Sequence, residues 1–281
     1  MAVVLDGEAL AQKWLQDTRK RVAKLNQHVG LAVIDIGDDP ASERYLAHNL
    51  QQAKQLGIQT FVFSFKSQTE PNLVLAKIQQ LNQDSRVSGI LVPLPLPARF
   101  DQAQLLSAIA PEKDVDGVNP LNQGRLWMGQ SPHIPATVHG IIKLLDAYQL
   151  AIDERHVVIL GRSVIVGKPL AGTFINRNAT VTLAHSHTLH LQSLTQQADI
   201  LIAALGQPHF VTPNLIKPGV IVIDVGTNQV GGQLQGDVDP KVANTAGYLT
   251  PVPGGVGPLT VAALMSQTVD LAESRWTHES I

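Results

Sequence analysis

Short, nearly continuous apolar runs alternate with amphipathic stretches along most of this chain. The apolar runs at 31–36, 59–65, 87–91, 156–160, 181–185, 200–205 and 220–225 read as strands, the last three as buried ones. Helical periodicity covers 7–27, 41–56, 71–82 and 139–148, the residues after Gly167 to about 178, and 259 to about 272. Strands and helices in alternation predict an α/β protein with mostly parallel sheets. Gly57 ends the second helix, and the prolines of Pro93-Leu94-Pro95-Leu96-Pro97 end any sheet pairing after the third strand.

The period is lost over 121–135, a polar stretch that carries glycine and proline. It marks a boundary between a first domain, 1–120, and a second, 121–258, with the last helix, 259–281, expected to pack back on the first. Two loops stand out. Leu249-Thr250-Pro251-Val252-Pro253-Gly254-Gly255-Val256-Gly257-Pro258 is too rich in proline and glycine for a helix or strand interior. It runs into a helical pattern, so a flat ligand could lie close against its backbone, although a tight turn also uses such residues. The second loop follows the strand at 156–160. It reads Gly161-Arg162-Ser163-Val164-Ile165-Val166-Gly167-Lys168-Pro169 and leads into a helix. That is the layout of a dinucleotide-binding first turn, in which the glycine permits the tight bend and the helix start can hold a pyrophosphate. The spacing is not G-x-G-x-x-G, so a generic strand-to-helix turn stays open.

Composition narrows the picture. The 281 residues are 44% hydrophobic and 16% charged, which is globular and long enough for two domains. A net charge of -2 leaves no electrostatic footprint for nucleic acid. The absence of cysteine excludes disulfides, thiolate metal sites and a cysteine nucleophile. Met1 to Gly7 lacks the basic start of a secretory signal, and no run reaches the length of a membrane span, so a soluble cytoplasmic protein is expected.

The second strand of the dinucleotide layout bears on the cofactor. NAD-preferring folds place an acid at its end, whereas here it ends His185-Ser186-His187-Thr188. With Arg162 in the first loop, the missing acid favours NADP, unless Arg162 is only a surface charge. His185, His187 and His190 have no carboxylate or cysteine at ligand spacing, so no metal is expected there.

Taken together, the segments resemble one family. They are Pro40-Ala41-Ser42 with Tyr45, Gly89-Ile90-Leu91-Val92, Leu94-Pro95-Leu96-Pro97, Lys113-Asp114-Val115-Asp116-Gly117, Gly124-Arg125-Leu126, Gly161-Arg162-Ser163, Val166-Gly167-Lys168-Pro169, Val222-Ile223-Asp224-Val225-Gly226, Gly236-Asp237-Val238-Asp239 and Thr250 to Pro258. In order and spacing the chain is similar, over nearly its whole length, to the methylenetetrahydrofolate dehydrogenase/methenyltetrahydrofolate cyclohydrolase family. The resemblance implies two α/β domains flanking a cleft, the first for folate and the C-terminal one a Rossmann-type NADP-binding domain. It implies a homodimer, while the charge and hydropathy above lead to no nucleic-acid or membrane partner. The implied chemistry is oxidation of 5,10-methylenetetrahydrofolate to the methenyl cation, then hydrolysis to 10-formyltetrahydrofolate. Carried over by position, Tyr45 lines the folate ring with Leu94 nearby, and Asp116 binds the pterin nitrogens. Pro253, Gly254 and Gly257 press on the folate and nicotinamide side. Gly161, Arg162, Ser163, Val166, Gly167, Ser186 and Thr260 serve NADP. Read alone, Tyr45 is a packing residue and Asp116 before Gly117 a turn former.

Two positions depart from the family. It has a lysine four residues after the tyrosine, where this chain has Asn49, and a glutamine supporting that lysine, where this chain has Pro93. Attack of water on the methenyl carbon needs a group that accepts and returns protons. The Asn49 amide does not titrate, and Pro93 brings neither a polar side chain nor an N–H. Hydride transfer depends mainly on positioning and survives such changes more readily. His48 lies three residues from Tyr45 and titrates in a suitable range, so it is the candidate substitute, or else a solvent-facing histidine. Three readings follow: a dehydrogenase with doubtful cyclohydrolase activity, a degenerate folate- and NADP-binding or regulatory protein, and an enzyme with another substrate on the same scaffold.

Overall fold

The computed structural model describes residues 1–25, 28–37, 40–131 and 133–279, without the side chains of 40–45, 48 and 275–279. Along the chain these form β1 (Val3–Val4), α1 (Gly7–Lys24), β2 (Gly30–Ile36), α2 (Pro40–Leu56), β3 (Gln59–Phe65), α3 (Pro71–Gln83), β4 (Gly89–Leu91), α4 (Gln102–Ala108), α5 (Pro120–Trp127) and α6 (Ala136–Ala147). There follow β5 (His156–Leu160), α7 (Gly167–Ile175), β6 (Thr180–Ala184), α8 (Leu191–Thr195), β7 (Ile200–Ala203), β8 (Ile221–Asp224), β9 (Asn228–Val230), β10 (Gln233–Gln235), β11 (Tyr248–Leu249) and α9 (Val256–Glu279). The chain divides into two compact units: Lys13–Gly124 with Leu264–Ile281, and Met1–Gln12 with Arg125–Ala263.

The first unit is built on a three-stranded parallel sheet of order β3-β2-β4. Central β2 is covered on both faces, so Leu31, Ala32, Val33 and Ile34 form one unbroken buried run. β3 is an edge strand, and its period of two is plain: Phe61, Phe63 and Phe65 are half-buried while Val62 and Ser64 are exposed. Helix α3 buries Val74, Ile78 and Leu81, one stripe at helical spacing. Its last carbonyls are met by the fully buried Lys113, whose Nζ donates to the Leu81 and Asp84 carbonyls at 2.7 and 2.8 Å. The later turns of α9 join this unit through Arg21, which donates to Asp270 and Glu273, and through Gln267 Nε2, which donates to the Val115 carbonyl at 2.7 Å.

The second unit carries a six-stranded, wholly parallel sheet of order β1-β11-β8-β7-β5-β6. From β5 the chain moves to β6 on one side and then crosses to β7 on the other. That reversal is the switch point at which open α/β sheets bind ligands, beyond the carboxyl ends of the strands. β5, β7 and β8 are buried, as their apolar runs require. β6 is not the buried strand expected from the sequence: it is an outer strand, exposed or half-buried up to Ala184, with pairing on one side alone among the described residues.

The start of the chain also falls differently from the expected 1–120 domain. β1 pairs with β11, Leu5 N–H donates to the Leu249 carbonyl, and Glu8 N–H donates to the Gly254 carbonyl, which places Met1–Gln12 in the second unit. The stretch expected to be irregular after residue 120 contains α5, opened by Pro120 and anchored by buried Leu126. α9 starts at Val256 instead of 259, because Pro258 in a first turn has no N–H to lose.

Candidate active site

In the first unit the expected folate residues lie on α2, after β4 and in the segment beside it. Tyr45 and Asn49 are one helical turn apart on α2. The side chains of Tyr45 and His48 lie outside the described residues. Asn49 is 3% exposed, and its Oδ1 accepts no hydrogen bond among the described residues. An unpaired buried carbonyl costs about 1–3 kcal/mol.

Pro93 and Leu94 are half-buried just past β4, and the Leu94–Pro95 peptide is cis. Asp114 pairs with Ile90 of β4 in a parallel bridge, which carries Asp116 along beside the segment leading to Pro93. The sequence left Asp116 open as a turn former. In the structure Asp114 makes the turn: its carboxylate accepts the N–H groups of Val118 and Asn119 at 3.2 and 2.8 Å and the Asn122 amide at 2.8 Å, and its carbonyl accepts from Gly117 N–H. Lys113 and Asp114 are buried, whereas Asp116 is half-buried. The structural work of this motif thus falls to Lys113 and Asp114.

In the second unit, the carboxyl ends of the parallel strands bring the expected cofactor residues to one sheet edge. Gly161 has φ of +117°, and a Cβ there would lie 2.2 Å from the Ala204 carbonyl oxygen, so only glycine fits. Ser163 Oγ accepts from the N–H groups of Val166 and Gly167 at 3.1 and 3.4 Å, and the Ser163 carbonyl accepts from Lys168 N–H. Pro169 has no N–H. The first donors of α7 are therefore taken, which corrects the expectation that the helix start itself meets a pyrophosphate. Val166 is buried and shapes the loop, as does Gly167. The N–H groups of residues 162–165 make no hydrogen bond within the described residues and are the donors left for an anion.

Leu160 and Ala184 are partners across β5 and β6, so Arg162 and Ser186, each two residues further on, are neighbours by register. Both are exposed, and Arg162 has no ion pair among the described residues. His185 and His187 pack edge to face at 6.0 Å, and His185 Nδ1 accepts from the His187 N–H. Pro253 follows a second cis peptide, Gly254 has φ of +101°, and a Cβ on Gly257 would meet no atom within 4 Å. Thr260 Oγ1 lies 3.2 Å from both Thr137 Oγ1 and the Val256 carbonyl oxygen, which ties α9 to α6.

Sequence reasoning missed a pair of buried carboxylates at the same edge, Asp224 and Asp237. Asp224 Oδ1 accepts the N–H groups of Gly226 and Asp237, and Oδ2 that of Val238. The available signal was a lone carboxylate inside the apolar run Val220 to Val225, and one directly after Gly236. Burial pushes the Asp224 carboxyl up to about 6, against the pull of these N–H groups, with the nearby Asp237 charge adding to the rise. A raised folded-state value means a contribution to stability that is present below about pH 4 and lost as pH rises through 6. Between urea unfolding at pH 4 and at pH 7, the wild type is expected to lose on the order of 3 kcal/mol more than Asp224→Asn. Equal losses would show that Asp224 does not titrate in that window.

Fold and site define a class: a two-unit α/β protein whose C-terminal unit is built to bind a dinucleotide. Two family models match, the tetrahydrofolate dehydrogenase/cyclohydrolase catalytic domain over residues 5–116 and the NAD(P)-binding domain of the same family over 135–276. The chain belongs to the tetrahydrofolate dehydrogenase/cyclohydrolase family. It is 47% identical to the bifunctional protein FolD of Lacticaseibacillus casei over 98% of this chain and 99% of that protein. It is 44% identical to that of Enterococcus faecalis over 98% and 100%. Among solved structures, the bifunctional FolD methylenetetrahydrofolate dehydrogenase/cyclohydrolase of Campylobacter jejuni superimposes with a TM-score of 0.95 at 39% identity, covering 98% of this chain and 100% of that one. The Trypanosoma brucei enzyme, solved with NADP cofactor and inhibitor, gives 0.93 at 34% identity and covers 98% of each chain.

Proposed function

We propose that this chain oxidises 5,10-methylenetetrahydrofolate to 5,10-methenyltetrahydrofolate in one-carbon metabolism, with NADP, and that hydrolysis of the methenyl cation is lost or very slow. The observation that carries this reading is the contrast between formed ligand-holding positions and a proton-moving position occupied by Asn49. NADP, when bound, supplies the hydride acceptor. The N–H groups of 162–165 fit a pyrophosphate, and Arg162 with Ser186 fits a 2′-phosphate. Asp116 orients the pterin through charge-assisted hydrogen bonds, Tyr45 and Leu94 line the folate, and Pro253, Gly254 and Gly257 present bare backbone to the ligands. These residues bind and orient, which is what hydride transfer requires. A cytoplasmic homodimer is part of the same reading; sedimentation velocity is expected to show a dimer of this chain in solution.

The test is oxidation of methylenetetrahydrofolate with NADP and with NAD. NADP is expected to be preferred, and Arg162→Ala to raise the KM for NADP roughly 10- to 100-fold, the worth of a charge-assisted bond, with little effect on NAD. Equal or better use of NAD by the wild type overturns the cofactor assignment. The intact loops also fit a degenerate binding protein. NADP binding without any turnover would decide for that reading.

A further inference from the structure

We propose that Asp224 and Asp237 are positioning residues for the cofactor, together holding the loop after β7 in place as one wall of the dinucleotide site. The inference rests on the NADP-binding reading above.

Asp237 is 0% exposed. Its Oδ2 accepts from the N–H groups of Leu205 and Gly206 at 2.6 and 3.0 Å, and its Oδ1 from Gln207 N–H at 2.8 Å and the Asn228 amide at 2.9 Å. Three consecutive backbone N–H groups converge on one carboxylate, which fixes the path of the loop from Leu205 to Gln207. That loop runs directly against the 161–167 loop: Ala204 N–H donates to the Leu160 carbonyl, and the Ala204 oxygen leaves no room for a Cβ on Gly161. β5 and β7 are the neighbours between which the sheet reverses its order, so a dinucleotide at this edge has the 161–167 loop on one side and the 204–207 loop on the other.

Asp224 places Asp237. It accepts the N–H groups of Asp237 and Val238 at 2.9 and 3.0 Å and of Gly226 at 2.9 Å, and its own N–H donates to Thr250 Oγ1 at 2.7 Å. The fit is close enough that a Cβ on Gly226 would lie 2.4 Å from Asp237 Oδ1, and one on Gly236 1.9 Å from Asp224 Oδ2. Among the described residues no Lys or Arg pairs with either carboxylate; N–H groups alone answer the charge. Packed apolar side chains would hold a sheet edge with no desolvation cost. What the aspartates add is a defined course for three loops at the cofactor edge: 204–207, 224–226 and 236–238.

Asp237→Asn keeps the side chain's size but leaves one acceptor oxygen where four donors converge. Its dissociation constant for NADPH, from fluorescence titration, and its KM for NADP are expected to rise about tenfold, with the KM for methylenetetrahydrofolate within about twofold of wild type. Lys217→Ala, which breaks the ion pair with Asp199 at the opposite ends of the same strands, serves as the structural control, expected to alter melting temperature without moving either KM. Should Asp237→Asn fail to fold, Asp224→Asn is titrated instead, with a rise in the same direction expected. A folded Asp237→Asn, or failing that Asp224→Asn, that binds NADPH within about twofold of wild type overturns the inference while leaving the proposed function standing. Equal rises in both KM values also overturn it, since a merely structural role would do that. A wild type that binds no NADPH overturns the proposed function itself.

Discussion

Hydrolysis of 5,10-methenyltetrahydrofolate with the wild-type chain is expected to proceed at its spontaneous rate, and Asn49→Lys/Pro93→Gln to accelerate it by about 10²-fold or more, the lower end of what a positioned acid–base group contributes. Asn49 is buried, and its amide can only hydrogen-bond, so a proton taken from the attacking water has no acceptor at this position. A lysine placed in the same buried position would be desolvated, which lowers its pKa toward the range where it exchanges protons near neutrality. It would also need a partner to hold it, which the glutamine of the double change provides. Asn49→Lys alone is therefore expected to gain less than the double change, and the two effects are not expected to multiply, because they act as a unit. Proline also shapes the backbone ahead of Leu94, so Pro93→Gln alone is expected to gain nothing. Wild-type hydrolysis well above the spontaneous rate would defeat the expectation, and loss of that hydrolysis in His48→Ala would then show that the proton work has moved one position along α2.

How far the sequence carries depends on whether an element is defined by its own residues or by its partners. The strands at 59–65 and 156–160 appear in the structure with the expected bounds, because each is a run of β-favouring residues with a clear break at both ends. The α/β class and the parallel sheets followed from the same alternation. β1 and β11 are two residues each and exist only because they pair with each other and with β8, across most of the chain, so no local pattern marks them. α4 is barely two turns long, too short for periodicity. Its one legible signal is Asp101, whose carboxylate accepts the N–H groups of Ala103 and Gln104 as an N-cap.

The site shows the same division. The glycine turn after β5 was legible because it is a local sequence event, and Gly161 stands there with φ of +117°. The roles inside Lys113-Asp114-Val115-Asp116-Gly117 were not, because burial separates them: Lys113 caps a helix far back in the chain, and Asp114 binds groups up to eight residues ahead. Asp224 and Asp237 stand 13 residues apart, separated by the β9–β10 hairpin, and converge only once the sheet edge has formed.

Because Asp114 holds the turn, Asp116 is the cleaner probe of the proposed folate site. Asp116→Ala is expected to weaken binding of a tetrahydrofolate ligand by about 1.5–3 kcal/mol, roughly 10- to 100-fold, as the loss of a charge-assisted bond to the pterin would. The turn should persist, since the N–H groups of Gly117, Val118 and Asn119 are held by Asp114, so the melting temperature should shift little. Asp114→Ala is expected to do the opposite, losing stability through three buried donors left without their acceptor. Asp116→Asn should fall between wild type and alanine, because an amide retains one acceptor and loses the charge. Calorimetric titration of each folded variant with tetrahydrofolate reads the effect directly. Unchanged affinity in a folded Asp116→Ala would remove Asp116 from the folate site and leave it as a surface neighbour of the turn.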